Sequence, residues 1–170
     1  MSDSQMYSDA ASAKTAMKGA KPNSTLLEWF EETFSSYRYV LDFGAGHGRH
    51  AEAIRKMGHK VYAYDPFNGD SQVSGYNGVS SDLPESGFEC VFSTYVLNTT
   101  TLQKSEEVIE MCERLITPRG GYVVHLVRRD LPEGEQLTSR SVYPDFFWDR
   151  GYEPDGGLWV KRIKRKALHC

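Results

Sequence analysis

No run of about 18 apolar residues occurs in the 170-residue chain, so no transmembrane helix is expected. The opening stretch, MSDSQMYSDAASAKTAMKGAK, lacks the apolar core of a secretory signal, and the cytoplasm is the default compartment. Cysteine is scarce. Cys90, Cys112 and Cys170 are too few and too scattered for a disulfide framework or a metal site. His47 and His50 have no carboxylate or thiol at a metal-ligand spacing beside them, so no metal is expected. Neither G-x-x-x-x-G-K-[ST] nor G-x-S-x-G is present, which removes the P-loop and the nucleophile-elbow serine from consideration. Excess charge is also missing. The net charge of −3 leaves no whole-chain footprint for nucleic acid.

What is there reads as one globular domain. The chain is 39% hydrophobic and 25% charged, and 170 residues suffice for a single core. Residues 1–21 are small and polar and are expected to be a mobile arm, with one domain over 22–170. Asn23 or Ser24 is placed to cap a helix whose apolar positions Leu26, Leu27, Phe30 and Phe34 share a face. The apolar run YRYVLDF predicts a buried strand, GRHAEAIRKMG a helix, and HKVYAYD a second strand. A Gly-, Asn- and Ser-rich loop follows, with a short strand around Val79. Then come a strand over FECVFSTYVLN, a helix over LQKSEEVIEMCERLI, a PRGG turn and a strand over YVVHLV. Repeated strand-helix-strand units predict a three-layer α/β domain with a mostly parallel sheet. YPDFFWDRGYE predicts a short helix and turn. GGLWVKRIKR alternates apolar and basic residues, as an antiparallel C-terminal strand would.

The chemistry concentrates where the first strand meets its helix. Gly44, Gly46 and Gly48 form a G-x-G-x-G turn, and bare backbone there lets a ligand approach closely. Asp65 ends the second strand, where a carboxylate can accept hydrogen bonds from vicinal ribose hydroxyls. Asp42 stands two residues before the glycines. An acid at that place repels a pyrophosphate and suits a ligand with a positive group. The spelling also departs from the G-x-G-x-x-G of dinucleotide sites.

These residues resemble the class I S-adenosylmethionine-dependent methyltransferases. Their first motif is similar to VLDFGAGHG, and their ribose-holding acid is similar to Asp65 at the end of VYAYD. The likeness continues through DLPESGFECVFSTYVLN, ERLITPRGGYVVHLVRRD and WDRGYEP, over roughly residues 38–163. It implies a three-layer Rossmann-like fold, a mostly parallel sheet with an antiparallel C-terminal strand, and S-adenosylmethionine (SAM) as cofactor. It also implies transfer of the SAM methyl group to N, O or S by in-line displacement, leaving S-adenosylhomocysteine. By the same resemblance Asp42, Gly44, Ala45, Gly46 and Gly48 line the methionine part, Asp65 holds the ribose, and Pro66 or Phe67 flanks the adenine. Ser81 and Asp82 compete for the adenine amine, and Ser93 completes the cofactor-binding set. A narrower similarity links KTAMKGAKPNSTLLEWF, STYVLN and VRRD to methyltransferases associated with bacterial DNA-modification loci.

The acceptor side is less defined. Tyr95 and Asn98 follow the fourth strand, where an acceptor sits in that family; core packing and capping are their alternatives. His125 is a third candidate, with a satisfied core histidine as the plainer reading. Arg128, Arg129 and Asp130 leave the next strand at its carboxyl end. The basic tail VKRIKRK reads as a protected edge strand ahead of a nucleic-acid contact. No N-P-P-Y motif and no Pro-Cys nucleophile are present. A small-molecule acceptor is slightly favoured over nucleic acid or protein. A homo-oligomer is left open. A SAM-binding protein without methyl transfer and, behind it, a nicotinamide-dependent oxidoreductase are the alternatives.

Overall fold

The computed structural model describes residues 21–127 and 142–165. The proposed arm 1–21, except Lys21, and Arg128, Arg129 and Asp130 therefore lie outside the described residues. Helix α1 (Ser24–Thr33) starts at Asn23, whose side chain accepts from the Leu26 N–H at 3.0 Å. Strand β1 (Tyr39–Phe43), helix α2 (Arg49–Lys56) and strand β2 (Lys60–Tyr64) follow. Strand β3 (Cys90–Thr94) leads through a 3₁₀ turn (Leu97–Thr99) into helix α3 (Leu102–Arg114). The domain closes with β4 (Gly121–Leu126), α4 (Val142–Asp149), β5 (Glu153–Asp155) and β6 (Leu158–Ile163).

The six strands form one sheet in the order β2-β1-β3-β4-β6-β5. The pairs among β1 to β4 are parallel, whereas β6 is antiparallel to both β4 and β5. The mostly parallel sheet with antiparallel C-terminal strands agrees with the expected Rossmann-like methyltransferase architecture. The strand expected around Val79 shrinks to a single parallel bridge between Tyr64 and Ser80. The strand expected over FECVFSTYVLN ends at Thr94. Tyr95 takes φ 60, the only positive value at a non-glycine residue among those described. That left-handed residue breaks the pleat and sends the chain into the 3₁₀ turn.

Alternation along the strands divides the core between the two sheet faces. One face buries Val40, Ala63, Phe92 and Leu126 under α1 and α2, through Phe30 and Ile54. The other buries Leu41, Val91 and Val123 under α3 and α4, through Val108, Ile109 and Phe147. Phe147 is fully buried and stacks on Trp159 at 4.8 Å between ring centroids with 13° between planes. This contact pins α4 to the antiparallel β6. Phe147→Ala should therefore destabilise the domain by about 3–5 kcal/mol, measured by denaturant unfolding; a loss under about 1 kcal/mol would show that α4 carries little of the core.

Candidate active site

The glycine turn sits at the carboxyl end of β1 and is held from β2. The amides of Gly44 and Ala45 both donate to the Tyr64 carbonyl, at 2.8 and 2.9 Å. The Gly46 N–H donates to Asp65 Oδ2 at 2.8 Å. Gly44, Gly46 and Gly48 have φ of 83°, 61° and 87°, a region that favours glycine. A Cβ on Gly44 would meet Val96 Cγ2 at 2.4 Å, and one on Gly48 would meet Val79 Cγ2 at 3.0 Å. The turn is thus pressed between the end of β3 and the segment after β2.

Asp65 is 3% exposed and already an acceptor three times over. Its Oδ1 receives the amides of Phe67 (2.8 Å) and Asn68 (3.0 Å), in addition to the Gly46 bond on Oδ2. Besides standing where a ribose acid is expected, it organises the loop that follows β2. Pro66 and Phe67 lie half-buried in that loop. Ser81 is half-buried and Asp82 exposed. The backbone of Asp82 is fixed from both sides: its N–H donates to Ser80 Oγ at 3.1 Å, and its carbonyl accepts from Tyr62 Oη at 2.8 Å.

Asp42 is fully buried, and neither carboxylate oxygen has a hydrogen-bond partner among the described residues. Burial, reinforced by the nearby negative charge of Asp65, pushes its carboxyl well above the usual carboxylate range. Arg55 and the Ala51 amide, both on α2, pull the other way; the amide lies near enough to favour the ionised form without closing a hydrogen bond. These groups offset only part of the cost of burial, and a cationic group brought beside the glycine turn offsets more of it.

Arg55 escaped sequence reasoning. Arg55 Nη2 donates to the carbonyls of Val61, Gly75 and Gly78, at 3.1, 2.7 and 3.0 Å, clamping the loop after β2. His50 is buried, and burial with the charge of Arg49 lowers its pKa to about 4. Its Nε2 accepts the Asn23 N–H at 3.1 Å, which places the proton on Nδ1, 3.5 Å from Thr94 Oγ1. One neutral imidazole thus joins the start of α1 to the carboxyl end of β3. A buried histidine on the first turn of α2 was the available signal, but its partners are distant in sequence.

The acceptor-side candidates separate. Tyr95 is half-buried at the carboxyl end of β3, and its N–H donates to the Leu126 carbonyl at 2.7 Å. Asn98 lies on the 3₁₀ turn, and its side chain is outside what is described. Ser93 and His125 are register partners on β3 and β4, joined by a 2.6 Å contact between Ser93 Oγ and His125 Nδ1. They belong to the sheet face covered by α3 and α4, because His125 packs on Phe147 and Tyr152. Asp42 and Thr94 belong to the other face by alternation. His125 is fully buried, burial lowers its pKa to about 3, and its Nε2 has no partner among the described residues. No group of three or more potential metal ligands occurs among the described residues.

Residues 14–155 match a family described as the methyltransferase domain. The chain belongs to that family. It is a SAM-dependent methyltransferase, as the resemblance implied. No curated protein matches its sequence. The fold is similar to that of the 1,6-didemethyltoxoflavin-N1-methyltransferase of Burkholderia thailandensis, crystallised with 1,6-didemethyltoxoflavin and S-adenosylhomocysteine. That likeness has a TM-score of 0.60 at 15% identity, over 82% of this chain and 76% of the other. A SAM-dependent methyltransferase from Aquifex aeolicus gives 0.57 at 18% identity, over 92% and 98%. The magnesium protoporphyrin IX methyltransferase of Synechocystis PCC 6803, solved with SAM, gives 0.59 at 11% identity, over 95% and 94%.

The state of Asp42 has a thermodynamic consequence for this methyltransferase. Its folded-state pKa lies above the unfolded one, so the folded protein binds the extra proton and loses stability as pH rises between the two values. Asp42→Asn removes that loss. The variant should melt higher than the wild type, with the gain larger at about pH 8 than at about pH 5. Equal melting differences at both pH values would show that Asp42 is not held protonated.

Proposed function

We propose that this methyltransferase binds SAM across the carboxyl ends of β1 and β2 and delivers the methyl group to a small-molecule acceptor beside the end of β3. The observation that carries the reading is the buried, unpartnered Asp42 directly before three positive-φ glycines. In this reading Gly44, Ala45, Gly46 and Gly48 admit the methionine part, and Asp42 faces its positive charge. Asp65 keeps acceptor capacity for a ribose hydroxyl, since a carboxylate offers about four lone-pair sites and three amides use it here. Pro66 and Phe67 flank the adenine, with Ser81 or Asp82 at its amine.

When bound, SAM supplies an electrophilic methyl group on a sulfonium. The protein's own part is alignment, with the acceptor atom held in line. Tyr95 and Asn98 flank the acceptor in this reading. His125, fully buried behind the sheet, acts as a positioning residue through Ser93. Small-molecule acceptors in the toxoflavin- and porphyrin-methylating proteins support this choice of acceptor class. Among the described residues no helix is long and apolar enough to cross a membrane, which accords with a cytoplasmic site of action.

Calorimetry with SAM and S-adenosylhomocysteine tests the reading. Wild-type binding is expected in the micromolar range, about −8 kcal/mol. Asp65→Ala should weaken it by roughly 1.5–3 kcal/mol, through the lost ribose contacts and a loosened glycine turn. Absence of SAM binding by the wild-type protein would overturn the proposal.

A further inference from the structure

A second concavity, of about 770 Å³, opens at the opposite end of the sheet. Five separate segments build it, the first being Thr33 and Phe34 at the end of α1. Arg38 precedes β1, Glu89 precedes β3, Arg119 and Gly120 precede β4, and Arg162 to Arg165 finish the antiparallel β6. The parallel strands are five or six residues long, so about 17–20 Å of sheet separates this cleft from the glycine turn. It is not a lobe of the methyl-transfer site.

Its charge is lopsided. Five cationic side chains, Arg38, Arg119, Arg162, Lys164 and Arg165, line it against one carboxylate, in a chain whose net charge is −3. Glu89 is engaged by Arg38, with Nε to Oε2 at 3.2 Å. Arg119, Lys164 and Arg165 are exposed and have no ion pair among the described residues. Packing holds them together: a Cβ on Gly120 would meet the Ile163 carbonyl at 2.5 Å and the Arg165 nitrogen at 3.0 Å, so the turn before β4 lies against the end of β6. Like charges gathered this way repel one another, and a concave wall focuses their field on an anion. Guanidinium groups match phosphate oxygens in pairs.

The aromatic lining narrows the ligand further. Tyr122 is met by Trp29 and Phe34 edge-on, at 5.6 and 5.8 Å, and by the Arg162 guanidinium at 5.9 Å. Its ring is already committed to these neighbours and offers no platform for a base. Recognition here rests on charge, and the number of cations exceeds what a single phosphate needs.

We propose that this cleft binds the phosphates of a polyanion, either a linear oligophosphate or the backbone of a single-stranded nucleic acid. Arg119, Arg162, Lys164 and Arg165 make the contacts, with Arg38 oriented by Glu89. The test titrates the full chain, without SAM, with inorganic tripolyphosphate and separately with a fluorescein-labelled oligothymidylate of about 12 nucleotides. At least one probe should bind at about 50 mM salt and weaken about twentyfold at 200 mM, as for some three neutralised phosphates. Binding of tripolyphosphate, with or without the oligonucleotide, assigns a free oligophosphate, and binding of the oligonucleotide alone assigns a nucleic-acid backbone. Lys164→Glu and Arg119→Glu should each weaken binding about fivefold or more, with unchanged melting temperature because neither side chain has an ion-pair partner to lose. Lys104→Glu makes the same charge change at the carboxyl end of the sheet and should stay within about twofold of wild type. Neither probe binding below about 1 mM, or Lys104→Glu weakening binding as much as the cleft variants, would overturn the proposal. SAM is absent from the assay, so either result leaves the methyl-transfer reading untouched.

Discussion

The carboxylate of Asp65 is the contact on which the rest of the active end depends. It ties the glycine turn to the end of β2 through the Gly46 amide and folds the following loop through the Phe67 and Asn68 amides. Three charge-assisted hydrogen bonds to one buried acid fix two loops from different strands relative to each other. The neighbouring Tyr64 carbonyl takes the Gly44 and Ala45 amides and completes the seam. With the turn held this way, Asp42 is shut beneath it without donors, close enough to Asp65 to feel its charge. One acid is therefore satisfied at the expense of the other. A cationic ligand at the carboxyl end of the sheet offsets both the charge of Asp65 and the cost of ionising Asp42.

The basic cleft lies at the amino end of the sheet and the glycine turn at the carboxyl end, and the topology explains why. Parallel strands deliver their carboxyl ends and following loops to one side, which collects Asp42, Asp65 and the glycines. The antiparallel β6 runs the other way and carries its basic end, Arg162 to Arg165, to the amino side beside Arg38 and Arg119. Alternation along β6 splits its cations further. Lys161 Nζ reaches Glu113 Oε1 on α3 at 2.9 Å, whereas Arg162 lies over Tyr122 on the other face. Read along the chain, VKRIKRK is a uniform basic strip; in the fold one part is neutralised and the other lines a cleft.

What was legible in the sequence follows the range of the interactions. Hydrophobic periodicity and glycine punctuation report local geometry, so the strands, the capped α1 and the glycine turn were readable, as was the antiparallel finish. The family followed because several local motifs occur in order. The Ser93–His125 pair, the His50 link from Asn23 to Thr94 and the basic cleft join residues 27 to more than 100 positions apart, and no spacing rule reports such contacts. The short strand around Val79 and the long one through Asn98 were misjudged for one reason. Propensity counts residues that suit a pleat, whereas the sheet ends where Tyr95 turns left-handed and where only Ser80 reaches Tyr64.

The glycine motif shows how little of a motif needs to be about its ligand. Gly44 is demanded by Val96, which occupies the space of its missing Cβ, and Gly48 by the approach of Val79. All three glycines satisfy backbone angles that favour glycine before any cofactor arrives. Packing alone would therefore retain much of the G-x-G-x-G spelling in a protein with no nucleoside ligand. Packing does not retain Asp42, because a buried carboxyl without partners costs folding free energy and an apolar side chain of similar size would fill the same space. In this turn the glycines describe the architecture, and the isolated acid before them is the residue that points to a cation.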